Sequence, residues 1–185
     1  DDQAVEGYIR TLEMAHIMEM PYMISWGPWE YDEFPDTRIA PELWDKISNE
    51  WFERMDEVAR IAHDLHVQIT LKPHTGLTAH AERLMETVER IGSPAVSACY
   101  DPGNVHFYEG MDPAEDVKKC AEIVDAMCIK DHSGARANPL FPPPGEGDVD
   151  FEAILRTLNA AGFDGPLMVE RFEGEYDKAD MTENF

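Results

Sequence analysis

"AVSACYDPGN", residues 95–104, decides how the rest of the chain is read. Its first six residues form a short apolar run, the pattern of a buried strand. Asp101-Pro102-Gly103-Asn104 then breaks that run with the residue types that dominate turns. Asp101 is open to two readings. Its carboxylate either closes an Asx turn or stands at the rim of a site, because His106 and Tyr108 follow at once.

Working outward, the same unit recurs. "PYMIS" (21–25), "VQITL" (67–71), "DAMCIK" (125–130) and "PLMVE" (166–170) also read as strands. Helical spacing lies between them. Val5, Ile9, Leu12 and Ala15 recur in phase, and so do Leu43, Ile47, Trp51, Met55, Val58, Ala62 and Leu65. Ala81, Leu84, Val88 and Ile91 mark a third helix, and Phe151, Ile154, Leu155 and Leu158 another. Asp112-Pro113 is a helix start with Asp as N-cap, and Gly162 is a C-cap. An aromatic loop is expected over residues 26–36. Strands alternating with helices predict parallel βαβ units, either open and doubly wound or closed as a (β/α)8 barrel. No domain boundary is visible, so residues 1–185 are taken as one domain.

The chain has 185 residues and a hydrophobic fraction of 43%, enough for a core, and no run long enough to span a membrane. Three cysteines do not make a disulfide framework, and a cytoplasmic setting fits them. A net charge of -23 repels phosphate backbones and argues against nucleic acid as partner.

Ionisable residues gather at the C-terminal ends of four strands: Lys72 and His74; Asp101, Asn104 and His106; Lys130, Asp131 and His132; Glu170 and Arg171. That edge binds ligands in α/β folds. Strand alternation places Lys72 with His74, Cys99 with Asp101, Cys128 with Lys130 and His132, and Met168 with Glu170. Blander readings stand beside this one. Lys130-Asp131 can be a surface ion pair, and Trp26 and Trp29 can be core cover. His16, His63, His66 and His80 read as structural residues on helices. Gly145-Glu146-Gly147 lacks a dinucleotide fingerprint.

With "ITLKPHTG", "YDPGN", "CIKDHSG" and "GEGDVDFEAILRTLNAAGFDGPLMVE" in this order, the chain resembles the xylose isomerase-like TIM barrels, the sugar phosphate isomerase/epimerase superfamily. The resemblance implies a (β/α)8 barrel of which strands four to eight are present, with the first three strands and the helix after Glu170 missing. A second copy or another partner is then one way to complete the barrel. It also implies an enzyme acting on a small carbohydrate through one divalent ion (Mn, Mg, Co or Zn), held by Glu, Asp, His and Glu. Asp101 and Glu170 match that set, whereas Lys72 and Cys128 depart from it. Three outcomes follow: a shifted metal set using His74, His106, His132 or Cys128 beside Asp101 and Glu170; Lys72 in place of the metal's charge; or loss of activity. The three nearby histidines favour the first.

If the family chemistry holds, the reaction is isomerisation or epimerisation through an enediolate, with Glu170 moving the proton and Lys72 as a second catalytic group. Asn104, Lys130 and Arg136 are expected to bind substrate, and Trp26 and Trp29 to wall the pocket. The alternatives are a sugar-binding relative without catalysis and an endonuclease IV-like repair enzyme.

Overall fold

A computed structural model describes residues 2–171. Helix α1 (Asp2–Ile17) leads into strand β1 (Tyr22–Ser25). The long helix α2 (Pro41–Leu65) and strand β4 (Gln68–Leu71) come next, then α3 (Ala81–Ile91) and β5 (Val96–Tyr100). After β5 the chain winds through a one-turn α4 (Pro102–Asn104), a π-helical turn over Val105–Glu109 and the short α5 (Pro113–Asp116). It then enters β6 (Val124–Ile129), and α6 (Phe151–Ala160) precedes β7 (Leu167–Val169). The five expected strands are all present. They form one parallel sheet in the order β1-β4-β5-β6-β7. This is an incomplete (β/α) barrel. The expected absence of a helix after Glu170 concerns residues outside the described ones.

The two faces of the sheet differ. Outward-facing Met23, Ile69, Leu71, Ala98, Tyr100 and Met127 pack with Leu12, Met55, Val58, Leu84, Ile154 and Leu158 of the helices. Burying such side chains contributes about 1.5–3 kcal/mol each and holds the helical layer on the sheet. The inward face carries a smaller cluster of Cys99, Ala126 and Cys128, with Ile24 and Met168 against it. A register shift between Ala98 and Cys99 bends the sheet at the entry to Asp101.

Helix α2 buries Phe52, Met55, Val58, Ala59 and Ala62. Leu43, expected on that face, is 49% exposed. His66 ends α2 in a left-handed conformation (φ 57°), and the His16 ring meets the carbonyl of Leu65 at 2.8 Å. His63 is exposed, and His80 is the N-cap of α3. Asp112 caps α5 by accepting from the Ala114 N–H at 2.9 Å. Gly162, with φ +92°, supplies the left-handed turn beyond α6.

The aromatic segment is more ordered than a loop. It contains a hairpin, β2 (Tyr31–Glu33) with β3 (Thr37–Arg38). The connection after β4 clamps it: Thr78 accepts from the Gly27 N–H and Thr75 from the Glu30 N–H, both at 3.2 Å. Among the described residues no helix is long and apolar enough to cross a membrane.

Candidate active site at the strand ends

Lys72, Asp101, Lys130 and Glu170 each stand one residue beyond the ends of β4, β5, β6 and β7, on the inward face. Parallel register brings them together. The Lys72 Nζ donates to Glu170 Oε2 at 2.5 Å and lies 3.5 Å from Asp101 Oδ2. The Lys130 Nζ donates to Glu170 Oε1 at 3.0 Å and to Asn104 Oδ1 at 2.8 Å, and lies 3.6 Å from Asp101 Oδ2. Two ammonium groups and two carboxylates thus interlock in alternation.

Both readings of Asp101 hold, one per oxygen. Oδ1 accepts from the Asn104 N–H at 2.9 Å, which is the Asx cap of the turn. Oδ2 is buried, has no hydrogen-bond partner and faces the two lysines. The turn also explains its own glycine. A Cβ on Gly103 would meet Lys130 O at 2.7 Å and Lys130 Cγ at 2.8 Å, so only glycine lets Lys130 lie across the turn. Asn104 is fixed from its other side by donating Nδ2–H to Pro73 O at 2.7 Å.

The charges tune one another. Burial acts to raise Glu170, but the Lys72 hydrogen bond and the Lys130 ammonium prevail and hold it at about 2. Burial acts to lower Lys72, and Asp101 and Glu170 outweigh it, so its ammonium is strengthened. Complete burial raises Asp101, with Lys130 and Lys72 pulling against it.

The expected histidines do not join this cluster. His74 sits in an aromatic box with Trp26, Trp29 and Tyr108, and its Nε2 is 3.1 Å from the Tyr108 hydroxyl. Burial, reinforced by the Lys72 and Lys130 charges, lowers it to about 4, so it is neutral near pH 7. His106 and His132 pair with each other through Nδ1 atoms 2.9 Å apart, and His132 Nε2 meets the Asn138 carbonyl at 2.7 Å. The shifted metal set built on these three rings is therefore not what the fold assembles. The donor atoms that do lie within 4.8 Å of one another among the described residues belong to Asp101, Cys128 and Glu170.

Arg136 is also placed differently from its expected role. Its Nε–H donates to Tyr108 O at 2.6 Å and an Nη–H to the Tyr31 hydroxyl at 2.9 Å, so it rivets the hairpin to the π-helical turn. Trp26 and Trp29 are 51% and 40% exposed, and their rings lie 6.0 and 5.3 Å from that of His74. The π-helical turn carries Phe107 and Tyr108 against Phe34, and Tyr108 also against Trp29 and His74.

Lys130 and Asp131 are both buried, and they do not form a surface pair. Asp131 instead accepts from the N–H groups of His132, Gly145, Gly147 and Val149 at 2.8–3.1 Å. The "GEGDV" stretch is thus a collar around one carboxylate. Cβ on Gly147 would come within 2.2 Å of Asp131 Oδ1. Sequence reasoning missed this collar and Phe141, and set Cys99 on the Asp101 face without giving it a role. Cys99 carried a signal, its place two residues before Asp101; Phe141, whose ring lies 5.4 Å from Lys130 Nζ, carried none.

The family model for xylose isomerase-like TIM barrels matches residues 1–184. The chain belongs to this family. An inosose dehydratase of Geobacillus kaustophilus is 25% identical over 175 residues, covering 84% of this chain and 54% of that one. A D-tagatose 3-epimerase-like protein superposes with a TM-score of 0.77 at 23% identity, over 98% of this chain and 66% of that one. The IOLI protein with a bound zinc atom gives a TM-score of 0.77 at 20% identity, over 97% and 65%. The chain spans about half the length of the curated relatives it matches.

The donor chemistry here fits a divalent ion poorly. Glu170 already accepts from both lysines, and from the Cys128 thiol at 3.2 Å. A thiol must ionise to ligate zinc, and the Cys99 hydrogen bond, with burial, pushes Cys128 far the other way. A divalent ion about 4 Å from one ammonium meets roughly 8 kcal/mol of repulsion at an effective dielectric near 20.

Proposed function

We propose that the strand-end cluster is the active site of a sugar-modifying enzyme that moves a proton next to a carbonyl, as an isomerase or epimerase does. The observation that carries this reading is the alternation of Lys72, Asp101, Lys130 and Glu170 within 2.5–3.6 Å under an aromatic wall. Such a site offers fixed positive charge where an enediolate oxygen develops, and a carboxylate at the mouth to take and return a proton.

Glu170 is the group that fits the base. Its side chain is 34% exposed, whereas Asp101 is fully buried. In the resting site its lysine partners keep it weakly basic. Substrate oxygens that draw the ammonium groups toward themselves release it, which couples binding to base strength. Lys72 and Lys130 hold the oxygens, Asn104 orients Lys130, and Trp26 and Trp29 keep water from the mouth. The relatives' names, inosose dehydratase and D-tagatose 3-epimerase-like protein, support a polyhydroxylated carbonyl compound as substrate class.

The test is deuterium wash-in. Ketoses, aldoses and an inosose are incubated with the protein in D2O, and exchange next to the carbonyl is followed by NMR. We expect exchange with at least one of them, and a loss of about 10²-fold or more in Glu170→Gln. Sugar binding without exchange favours a second reading, a non-catalytic sugar-binding relative, for which the mutual satisfaction of the lysines and carboxylates speaks. No interaction with any carbohydrate rejects both.

A further inference from the structure

We infer that the Lys72 ammonium completes the cluster as an internal cation, so that the site takes no divalent metal. The inference shares its site with the proposed function but concerns only what supplies the positive charge.

Four observations carry it. Lys72 is buried, and its backbone N–H is held by Ser25 O at 2.7 Å, so the side chain enters the cluster from a fixed strand end. Its Nζ touches Glu170 and faces the unpartnered Oδ2 of Asp101. Those are two of the three residues whose donor atoms converge. The third, Cys128, sits 3.7 Å from the Cys99 sulfur and 3.2 Å from Glu170 Oε2, with its thiol directed into hydrogen bonds. Finally, Lys130 supplies a second positive charge on the same two carboxylates. Two carboxylates with two ammonium groups are electrically balanced, and an added divalent ion has no counter-charge left to meet. Lysine suits the role: its ammonium is a compact point charge with three donors, set at the end of a stem that can lie along an apolar wall.

The geometry makes a reversible prediction. Replacing the ammonium by a carboxylate, Lys72→Glu, removes the repulsion and adds an oxygen donor beside Asp101 and Glu170. The double substitution Lys72→Glu with Cys128→His adds an imidazole. The experiment is metal analysis of the purified full chain, then calorimetric titration with MnCl2 and ZnCl2, for wild type and both variants, with circular dichroism to establish folding. We expect wild type to carry less than about 0.1 equivalent of divalent metal and to show no saturable site in the titration. At least one folded variant should bind one equivalent at least about 100-fold more tightly.

A stoichiometric, chelator-removable ion in wild type overturns the inference whatever the variants do. So does failure of both folded variants to gain a site, since the ammonium is then not what excludes the ion. The readout involves no carbohydrate. A protein with the expected metal behaviour and no sugar chemistry therefore rejects the proposed function and leaves this inference standing.

Discussion

Two buried aspartates follow adjacent strands, Asp101 after β5 and Asp131 after β6, and the fold uses them in opposite ways. Asp131 is encircled by four backbone N–H donors contributed by a glycine-bearing loop. Asp101 receives one backbone N–H and leaves its second oxygen without a hydrogen bond, opposite two ammonium groups. In one case the carboxylate organises the chain; in the other it is held in readiness. Both are fully buried, but Asp101 stands one residue beyond its strand and Asp131 two residues beyond its own. The two differ in how many of their lone pairs the backbone has already satisfied.

The largest effect on stability is expected at Asp131. Asp131→Ala orphans four N–H groups and should cost about 3–5 kcal/mol in urea denaturation, the range for removing one side of a buried charged arrangement. A loss under about 1 kcal/mol would show that the collar holds itself together.

Gly147→Ala comes next. Its Cβ would fall 2.2 Å from Asp131 Oδ1 and 2.9 Å from His132 O, so a loss of about 1–3 kcal/mol is expected. Gly103→Ala presses instead on Lys130 O and Cγ. Its signature should be a weakened site, read as reduced carbohydrate exchange, beyond any change in melting temperature.

Asp101→Asn is expected to fall at the other end of the stability scale. Complete burial raises the Asp101 pKa above its unfolded value. Its contribution is then fully present below the unfolded pKa and lost as pH rises through the folded one. Asn carries no charge to desolvate and keeps an oxygen for the Asn104 N–H, so a stability change smaller than that at Asp131 is expected in urea denaturation. Activity, in contrast, should collapse. A variant both unstable and active would reverse the roles assigned to the two aspartates.

The pH dependence at Glu170 tests the lysine pairs themselves. Its pKa is depressed to about 2 from 4.5. The stability it contributes is present above 4.5 and lost as pH falls through 2, so wild type and Glu170→Gln should converge in that window. Their denaturation midpoints across pH 2–6 provide the check. A gap that persists at pH 2 would mean the Lys72 pair is not its source.

Much of this was legible in the chain. Apolar runs ended by Lys72-Pro73, Asp101-Pro102, Lys130-Asp131 and Glu170 gave the strands and the edge where polar groups collect, because side-chain alternation and turn chemistry are local. The histidines misled for a related reason. His74, His106 and His132 have the right spacing from the rim, but where a ring nitrogen points depends on partners far along the chain: Tyr108 for one, Asn138 and each other for the rest.

By itself the sequence determined the alternation of strands and helices, the parallel sheet and the identity of the residues at the C-terminal ends of its strands. These rest on period and composition within short windows. Only the tertiary structure decided that Lys72 joins Glu170 across 98 residues of chain, that Arg136 serves the hairpin, and that Asp131 belongs to its loop rather than to Lys130. Electrostatic partners are chosen by distance in space, and in a barrel that distance is set by the register between strands.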